Sequence, residues 1–351
     1  MPPRHERALA ALRATGAGAL LAADPGTVAW LTGCAAAIEA GPSPFALGPF
    51  AVMHDDGTVV LVASEDDAAP DGCEVVRFAG FTTAPLDRLG NARAALAPLL
   101  RGRTVAIEAE AVAAGLVAGV EWVDVGDRLE RARAVKDPDE LQRLRAAIAL
   151  CDAGQAALRR ELTAGRTELE LWSSVRGAIE RAAGQRVPVL ADLASGPRTG
   201  DVGGAPGDRE VAEGDLVICD LVPRLDGVWG DSCATLAVGE PSAWAVAAHG
   251  RCREALELAI AAVRPGAAAA AIDALVRERL DFPHHTGHGI GAAQHELPRI
   301  VPTSASVLEP GMVIALEPGL YGDGEGVRVE QVVLVTGDGC ELLSGHDLAL
   351  T

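Results

Sequence analysis

Aromatic residues make up only 3% of the 351 positions, with a single tyrosine among them. So few rings leave little to build a base-stacking surface, which argues against single-stranded nucleic acid as a partner. Basic residues are in deficit as well. Thirty Lys and Arg against 49 Asp and Glu leave a formal net charge of −19, which opposes binding to nucleic acid or to an anionic membrane. A small substrate is not excluded, because it meets only the local field of a cleft. No apolar run reaches the about eighteen residues of a membrane span. The first residues, MPPRHERALAALRATG, are charged and then helical and lack a signal-peptide core. The seven cysteines are odd in number and irregularly spaced, so they are expected as reduced thiols in a cytoplasmic protein.

What is present is ample apolar material, 49% of the chain, and a length that suggests two domains. Residues 1–125 read as an α/β domain. His5 to Thr15 is expected as helix and Ala19 to Ala23 as a buried strand. Asp24-Pro25 caps a short helix that stops at Gly33. A Pro/Gly loop from Gly41 to Pro49 leads into a hairpin, Phe50 to His54 and Thr58 to Ala63, with further strands at Glu74 to Phe78 and Thr104 to Ile107 and a helix over Leu86 to Leu100. Residues 126–137 are expected as a linker, and 138–351 as the second domain. Asp137-Pro138 opens a helix with Glu140 three positions on, a capping box. Thr167 and Glu170 cap another. His249 is expected at the surface of a later helix.

The chemistry is concentrated between Asp215 and Glu330. In DLVICDLVPRLDGVWGDSCATLAV, two apolar runs flank Asp226-Gly227 and read as a β-hairpin. Asp220 and Asp231 are an odd number apart across the turn, so both point to one face. Aspartate disfavours a strand, and two on one face repel unless a cation lies between them. In MVIALEPGLYGDGEGVRVEQVVLV a second hairpin is centred on Asp323-Gly324. Glu317 and Glu330 balance about that centre and are also cofacial. Glu309, in an earlier Leu-Glu-Pro-Gly, precedes its strand and reads as a turn residue. Between the hairpins, FPHHTGHGIGAAQHE holds four of the eight histidines. This reads as a Gly-rich loop that presents His288, with a glycine on each side to let the backbone approach a bound group. One imidazole and four carboxylates suit Mn, Fe, Co or Zn, and a set without thiolate is not a structural zinc site.

These segments resemble the pita-bread metallopeptidases: the Xaa-Pro dipeptidases (prolidases), Xaa-Pro aminopeptidases and methionine aminopeptidases. The resemblance runs over nearly the whole chain, since AWLTGC and the preceding residues are similar to the creatinase/prolidase N-terminal domain. It implies an α/β (α+β) protein, with an N-terminal creatinase-like domain and a catalytic domain of antiparallel sheets flanked by helices. It implies two divalent metal ions, manganese being the expected metal, on Asp220, Asp231, His288, Glu317 and Glu330. It makes Glu317 the acid/base as well as a ligand, His284 and His295 catalytic and substrate-facing, and Arg328 a substrate-binding residue near the metal-site carboxylates. It implies a dipeptide or other small-molecule substrate and a homodimer.

The chain also departs from the family pattern. The loop ASGPRTGDVGGAPGDR has Gly203 where the family carries a substrate-facing histidine, and Asp231-Ser232-Cys233-Ala234-Thr235 replaces the usual Asp-x-Thr-Arg-Thr. The metal ligands are untouched, but the substrate is left open. Cleavage of an amide bond in an Xaa-Pro dipeptide is the first expectation. The alternative is a family member recruited to another metal-assisted reaction, a lyase or a biosynthetic amidohydrolase on a non-prolyl substrate. A metal-free hydrolase like creatinase, or a binding module without catalysis, is disfavoured by five retained ligands.

Overall fold

The computed structural model describes residues 1–35, 43–80, 86–322 and 324–351. The start of the expected loop at Gly41 and the Asp323 half of the expected Asp323-Gly324 turn lie outside the described residues. The chain divides into two compact units, Met1–Arg133 and Ala134–Thr351.

The first unit runs α1 (Pro3–Arg13), β1 (Ala19–Ala22), α2 (Pro25–Thr32), β2 (Phe50–His54), β3 (Val59–Ser64), β4 (Glu74–Phe78), α3 (Arg88–Leu100), β5 (Val105–Ile107), β6 (Trp122–Asp124) and α4 (Gly126–Ala134). Its six strands form one sheet in the order β4-β3-β2-β1-β5-β6. The sheet is mixed: β1 lies antiparallel to β2 and parallel to β5. The caps form as local chemistry dictates. The Thr27 amide donates to Asp24 Oδ1 at 2.8 Å at the start of α2, and Gly33 ends that helix with φ of 76°. The stretch 126–137, expected as a linker, is mostly helix. Its polar composition disguises the buried Leu129, Arg133 and Ala134, and α4 belongs almost wholly to the first unit.

The second unit starts with α5 (Pro138–Glu161), α6 (Glu168–Ala183), β7 (Val189–Ser195), β8 (Leu216–Leu225), β9 (Val228–Trp229) and β10 (Ser232–Ala237). After α7 (Ala243–Ala262) and α8 (Ala269–Arg277) come β11 (Gly287–Gly289), β12 (Glu296–Ile300), β13 (Val313–Leu316), β14 (Gly319–Gly322), β15 (Glu325–Arg328), β16 (Gln331–Val335) and β17 (Cys340–Leu342). One sheet has the order β10-β8-β7, with β9 on β8; a second has β12-β11-β13-β16-β17; β14 and β15 pair separately. Every pairing in this unit is antiparallel. Both expected capping boxes form: the Asp137 amide donates to Glu140 Oε2 at 2.8 Å, and the Thr167 amide to Glu170 Oε2 at 2.9 Å. Apolar faces of α5, α6 and α7 cover the sheets, with Leu144, Ile148, Val175, Ile179, Cys252 and Leu256 buried. His249, expected at the surface of α7, is only 7% exposed, because it lies on the side of the helix that carries Ala245, Ala248 and Cys252.

Candidate metal centre

Each acidic hairpin is a single register that breaks at its carboxylates. In the first, Asp220 pairs with Cys233 and Arg224 with Trp229. Continuing that register sets Asp231, in the gap between β9 and β10, opposite Val222, so Asp220 and Asp231 are diagonal neighbours on one face. The turn is tight: Asp226 has φ of 48° and Gly227 φ of 83°, the double left-handed conformation of a type I′ hairpin. In the second hairpin Leu316 pairs with Gln331 and Gly319 with Arg328. The same register, carried across the break, places Glu317 opposite Glu330. The two hairpins are tied together by backbone: the Glu330 amide donates to Cys233 O at 2.9 Å, and Thr235 Oγ1 donates to Arg328 O at 2.8 Å.

His288 lies on β11, a short strand between β12 and β13, and not on a loop. The glycines beside it serve a different purpose from the one expected. A Cβ on Gly287 would lie 2.2 Å from Ala315 O, and one on Gly289 2.1 Å from Leu297 O. They let the neighbouring strands close on β11 rather than giving a ligand access to the backbone. His288 Nδ1 donates to Gly289 O at 3.0 Å, which leaves the lone pair on Nε2. That nitrogen lies 3.3 Å from Glu317 Oε1 and 3.6 Å from Asp231 Oδ2.

The five expected ligands therefore converge. Ligand atoms of Asp220, Asp231 and Glu330 all lie within 4.8 Å of one another, and so do those of His285, His288 and His295. Among the described residues, buried Asp220 Oδ1 and Glu330 Oε1 have no hydrogen-bond partner. Burial raises the Asp220 carboxyl to about 6; Glu317 and Asp192 add to the rise and Arg328 opposes it. Asp231 and Glu330 are pushed well above the usual carboxylate range, by burial and then by neighbouring carboxylates. Burial also acts to raise Glu317, but the hydrogen bond from His285 and the adjacent imidazole of His288 outweigh it and hold Glu317 well below the usual range. Packed, mutually repelling carboxylates with orphaned oxygens and an imidazole lone pair are a donor set that fits divalent cations.

The remaining expected residues are placed as follows. His295 is exposed at the edge of the cluster, its ring 4.0 Å from that of His288. Arg328 is buried; Nη2 donates to Asp220 Oδ2 at 2.7 Å, and Nη1 donates to Tyr321 Oη at 3.3 Å and to Val202 O. Its charge is committed to holding Asp220, a candidate ligand. His284 turns away: its Nε2 is 2.9 Å from Tyr321 Oη, and burial lowers it to about 4. The next residue, His285, takes the position at the site. Its Nδ1 accepts from Arg299 Nη2 at 3.0 Å, so its Nε2–H donates to Glu317 Oε1 at 2.7 Å. The adjacent pair signalled that one histidine faces inward, but only the flanking Arg299 and Glu317 decide which. Asp192 was missed too, though an acid within the apolar run VLADLA is the signal that marked Asp220. A buried ion pair, Lys136 Nζ to Glu296 Oε2 at 2.5 Å, anchors the strand that follows His295.

The family profile of metallopeptidase family M24 matches residues 142–337, more than half of the chain. The chain belongs to metallopeptidase family M24. Among curated M24-like relatives, the probable dipeptidase PepE of Mycobacterium tuberculosis is 37% identical over 230 residues, 63% of this chain and 61% of that protein. An uncharacterized peptidase of Staphylococcus aureus is 32% identical over 232 residues, 64% of this chain and 66% of that protein. The match thus spans less than two thirds of these relatives' length. Among solved structures, dipeptidase PepE from Mycobacterium ulcerans superposes with a TM-score of 0.80 at 28% identity, covering 99% of this chain and 96% of that one. The prolidase from Pyrococcus horikoshii superposes with a TM-score of 0.84 at 23% identity, covering 99% of each, a likeness of fold. The M24 match contains all five candidate ligands, and it also contains the departure at Gly203. In this M24 chain that position has no room for a side chain as the site stands: a Cβ there would lie 1.9 Å from Asp192 Oδ2.

Proposed function

We propose that this M24 chain is a dinuclear metal-dependent hydrolase that cleaves an amide bond, with an Xaa-Pro dipeptide or the N-terminus of an Xaa-Pro peptide as its substrate. The observation that carries the reading is the gathering of Asp220, Asp231 and Glu330 within 4.8 Å of one another, with Asp231 and Glu317 beside the free Nε2 of His288 and orphaned oxygens on Asp220 and Glu330. Asp220, Asp231, His288, Glu317 and Glu330 would hold two divalent ions, Asp220 on one and His288 on the other. When bound, such a pair supplies Lewis acidity, polarising a carbonyl and bringing the pKa of a water toward neutral. Manganese is the metal we expect; cobalt, iron and zinc suit the same donors.

The chain's own residues supply the proton transfers. Glu317 is held ionised by the His285 N–H, so it is ready to take a proton from the attacking water and pass it to the leaving amine. His295, exposed beside His288, steadies the developing carbonyl oxygen. Arg328 fixes Asp220, and Tyr321 keeps His284 out of the proton path. We place the protein in the cytoplasm as a homodimer, on its seven free cysteines and the family resemblance. None of its described helices is long and apolar enough to cross a membrane.

The test is hydrolysis of an Xaa-Pro dipeptide panel by metal-stripped protein reloaded with Mn, Co or Zn, beside an Asp231→Asn control. Metal-dependent cleavage should appear in the wild type and fall by at least about 10²-fold in the control, with less than two metal ions bound per chain. Protein that holds two metal ions and cleaves none of the panel refutes the prolyl reading. It would favour the second reading, another metal-assisted reaction on a small substrate, which the carboxylate of Asp192 over Gly203 supports.

A further inference from the structure

We propose that Asp192 selects substrates that carry a free, protonated amine next to the scissile carbonyl, and that Gly203 is a glycine to make room for it. The inference rests on the amide-hydrolase reading above and names the substrate class of that site.

Asp192 sits in mid-β7, directly paired with Asp220 on β8. Directly paired residues of an antiparallel pair project to one face, with Cβ atoms about 4.5–5.5 Å apart. Asp192 therefore stands on the ligand face, one strand over from a ligand. It differs from the ligands in exposure: its side chain is 39% exposed, against 17% for Asp220 and 6% for Asp231. It faces the open side of the site.

Among the described residues Asp192 makes one long ion pair. The closest cationic nitrogen is Arg328 Nη2 at 3.7 Å, near enough to hold the carboxylate in place electrostatically and too far for a hydrogen bond. That guanidinium is engaged elsewhere, on Asp220 Oδ2, Val202 O and Tyr321 Oη. Among the described residues no hydrogen bond reaches the Asp192 side chain. Its oxygens face the open side of the site, where a donor can reach them.

Gly203 explains how the carboxylate fits. A Cβ at 203 would lie 1.9 Å from Asp192 Oδ2 and 2.7 Å from Cγ. A side chain at 203 and the present position of Asp192 exclude each other. The family pattern places a substrate-facing histidine at 203, so this chain has put an anion where an imidazole is expected.

The chemistry of a partner for Asp192 follows. Arg328 at 3.7 Å disfavours another divalent ion there, whereas an ammonium has three N–H donors for the two free oxygens. In a peptide the α-nitrogen lies about 2.5 Å from the carbonyl carbon of its own residue. An amine subsite must therefore lie within a few ångströms of the reacting centre, as a residue one strand from Asp220 does. A charge-assisted hydrogen bond from ammonium to Asp192 orients the carbonyl and rejects N-acylated or deaminated analogues.

Two matched substrates test this, Ala-Pro and its deaminated analogue propionyl-Pro, with Mn-loaded wild type, Asp192→Asn and Gly203→Ala. Gly203→Ala meets only the end of a flexible, partly exposed side chain, so it should fold normally while displacing the carboxylate. The wild type should favour Ala-Pro. Each variant should lower kcat/KM for Ala-Pro about 10- to 100-fold, mainly through KM, and leave propionyl-Pro within about twofold. Equal losses on both substrates, or a wild type indifferent to the amine, would overturn the assignment. Calorimetric titration of Mn-loaded wild type and Asp192→Asn with L-alanine and N-acetyl-L-alanine separates this idea from the hydrolase reading. If neither dipeptide is cleaved, the hydrolase reading fails, yet alanine binding that is lost in Asp192→Asn still supports the amine subsite. Alanine and N-acetylalanine binding alike, or an unchanged variant, refutes it.

Discussion

Single residues at the centre are governed by proton and cation competition. In metal-free protein, burial lifts Asp220 to about 6, above the ordinary aspartate value of about 3.9. A carboxyl whose folded pKa is raised binds its proton more tightly when folded. Its contribution to stability is therefore complete below about pH 4 and lost as pH rises through about 6. Asp231 and Glu330 act in the same direction, and Glu317 in the opposite one. A divalent ion reverses the dependence, because it favours the ionised form. The gap in Tm between Mn-loaded and EDTA-stripped protein should widen from pH 5 to pH 7, as calorimetry can follow. A gap that narrows over that range contradicts the view that these carboxylates are the cation's ligands.

At the scale of elements, the site depends on strands that approach unusually closely. β11 is three residues long and is clamped between β12 and β13 because Gly287 and Gly289 have no side chains. The atoms that a Cβ on Gly289 would meet are backbone, Leu297 O at 2.1 Å and Leu297 C at 2.5 Å. Backbone cannot rotate aside as a side-chain tip can. Gly289→Ala should therefore cost about 1–3 kcal/mol in urea unfolding and loosen metal binding by tilting His288. Gly203→Ala, where the clash is with a carboxylate tip, should leave stability within about 0.5 kcal/mol. Equal costs at the two positions would show that the strand clamp is not tight. The hairpins themselves were legible in advance: Asp226-Gly227 sets the register of one, and the balance of Glu317 and Glu330 about their turn anticipated the other. The strand nature of His288 was hidden, because GHG carries no β-propensity and is a strand only through its neighbours.

Over the whole molecule, the excess of acid dominates. A net charge of −19 means self-repulsion in the compact state, which salt screens with a Debye length of about 8 Å at physiological ionic strength. Raising NaCl from about 0.02 to 0.2 M should therefore raise Tm in the metal-free protein, and raise it less once divalent ions have offset the charge at the centre. A Tm that falls with salt would mean that attractive ion pairs such as Arg209–Asp215 outweigh the repulsion. Length and the Asp137-Pro138 helix start suggest two domains, and the chain divides between Arg133 and Ala134. Residues 126–134 are polar enough to pass for a linker, and their helix is secured by burying Leu129.

The sequence by itself determined what is local. Turn residues, caps and the parity of strand positions depend on neighbours along the chain, and they sufficed to put Asp220 with Asp231 and Glu317 with Glu330. It also carried the motif that places the chain in its family. Tertiary structure alone decided what depends on partners distant in sequence. His285 rather than His284 faces Glu317 because Arg299 and Tyr321 each claim one of them. Arg328 is committed to Asp220 because β15 packs against β8. Asp192 acquires a role because β7 pairs with β8 in the register that sets it beside Asp220, over a residue with no side chain to oppose it. Pairing register and side-chain exclusion between separate elements are long-range quantities, and no window of residues along the chain contains them.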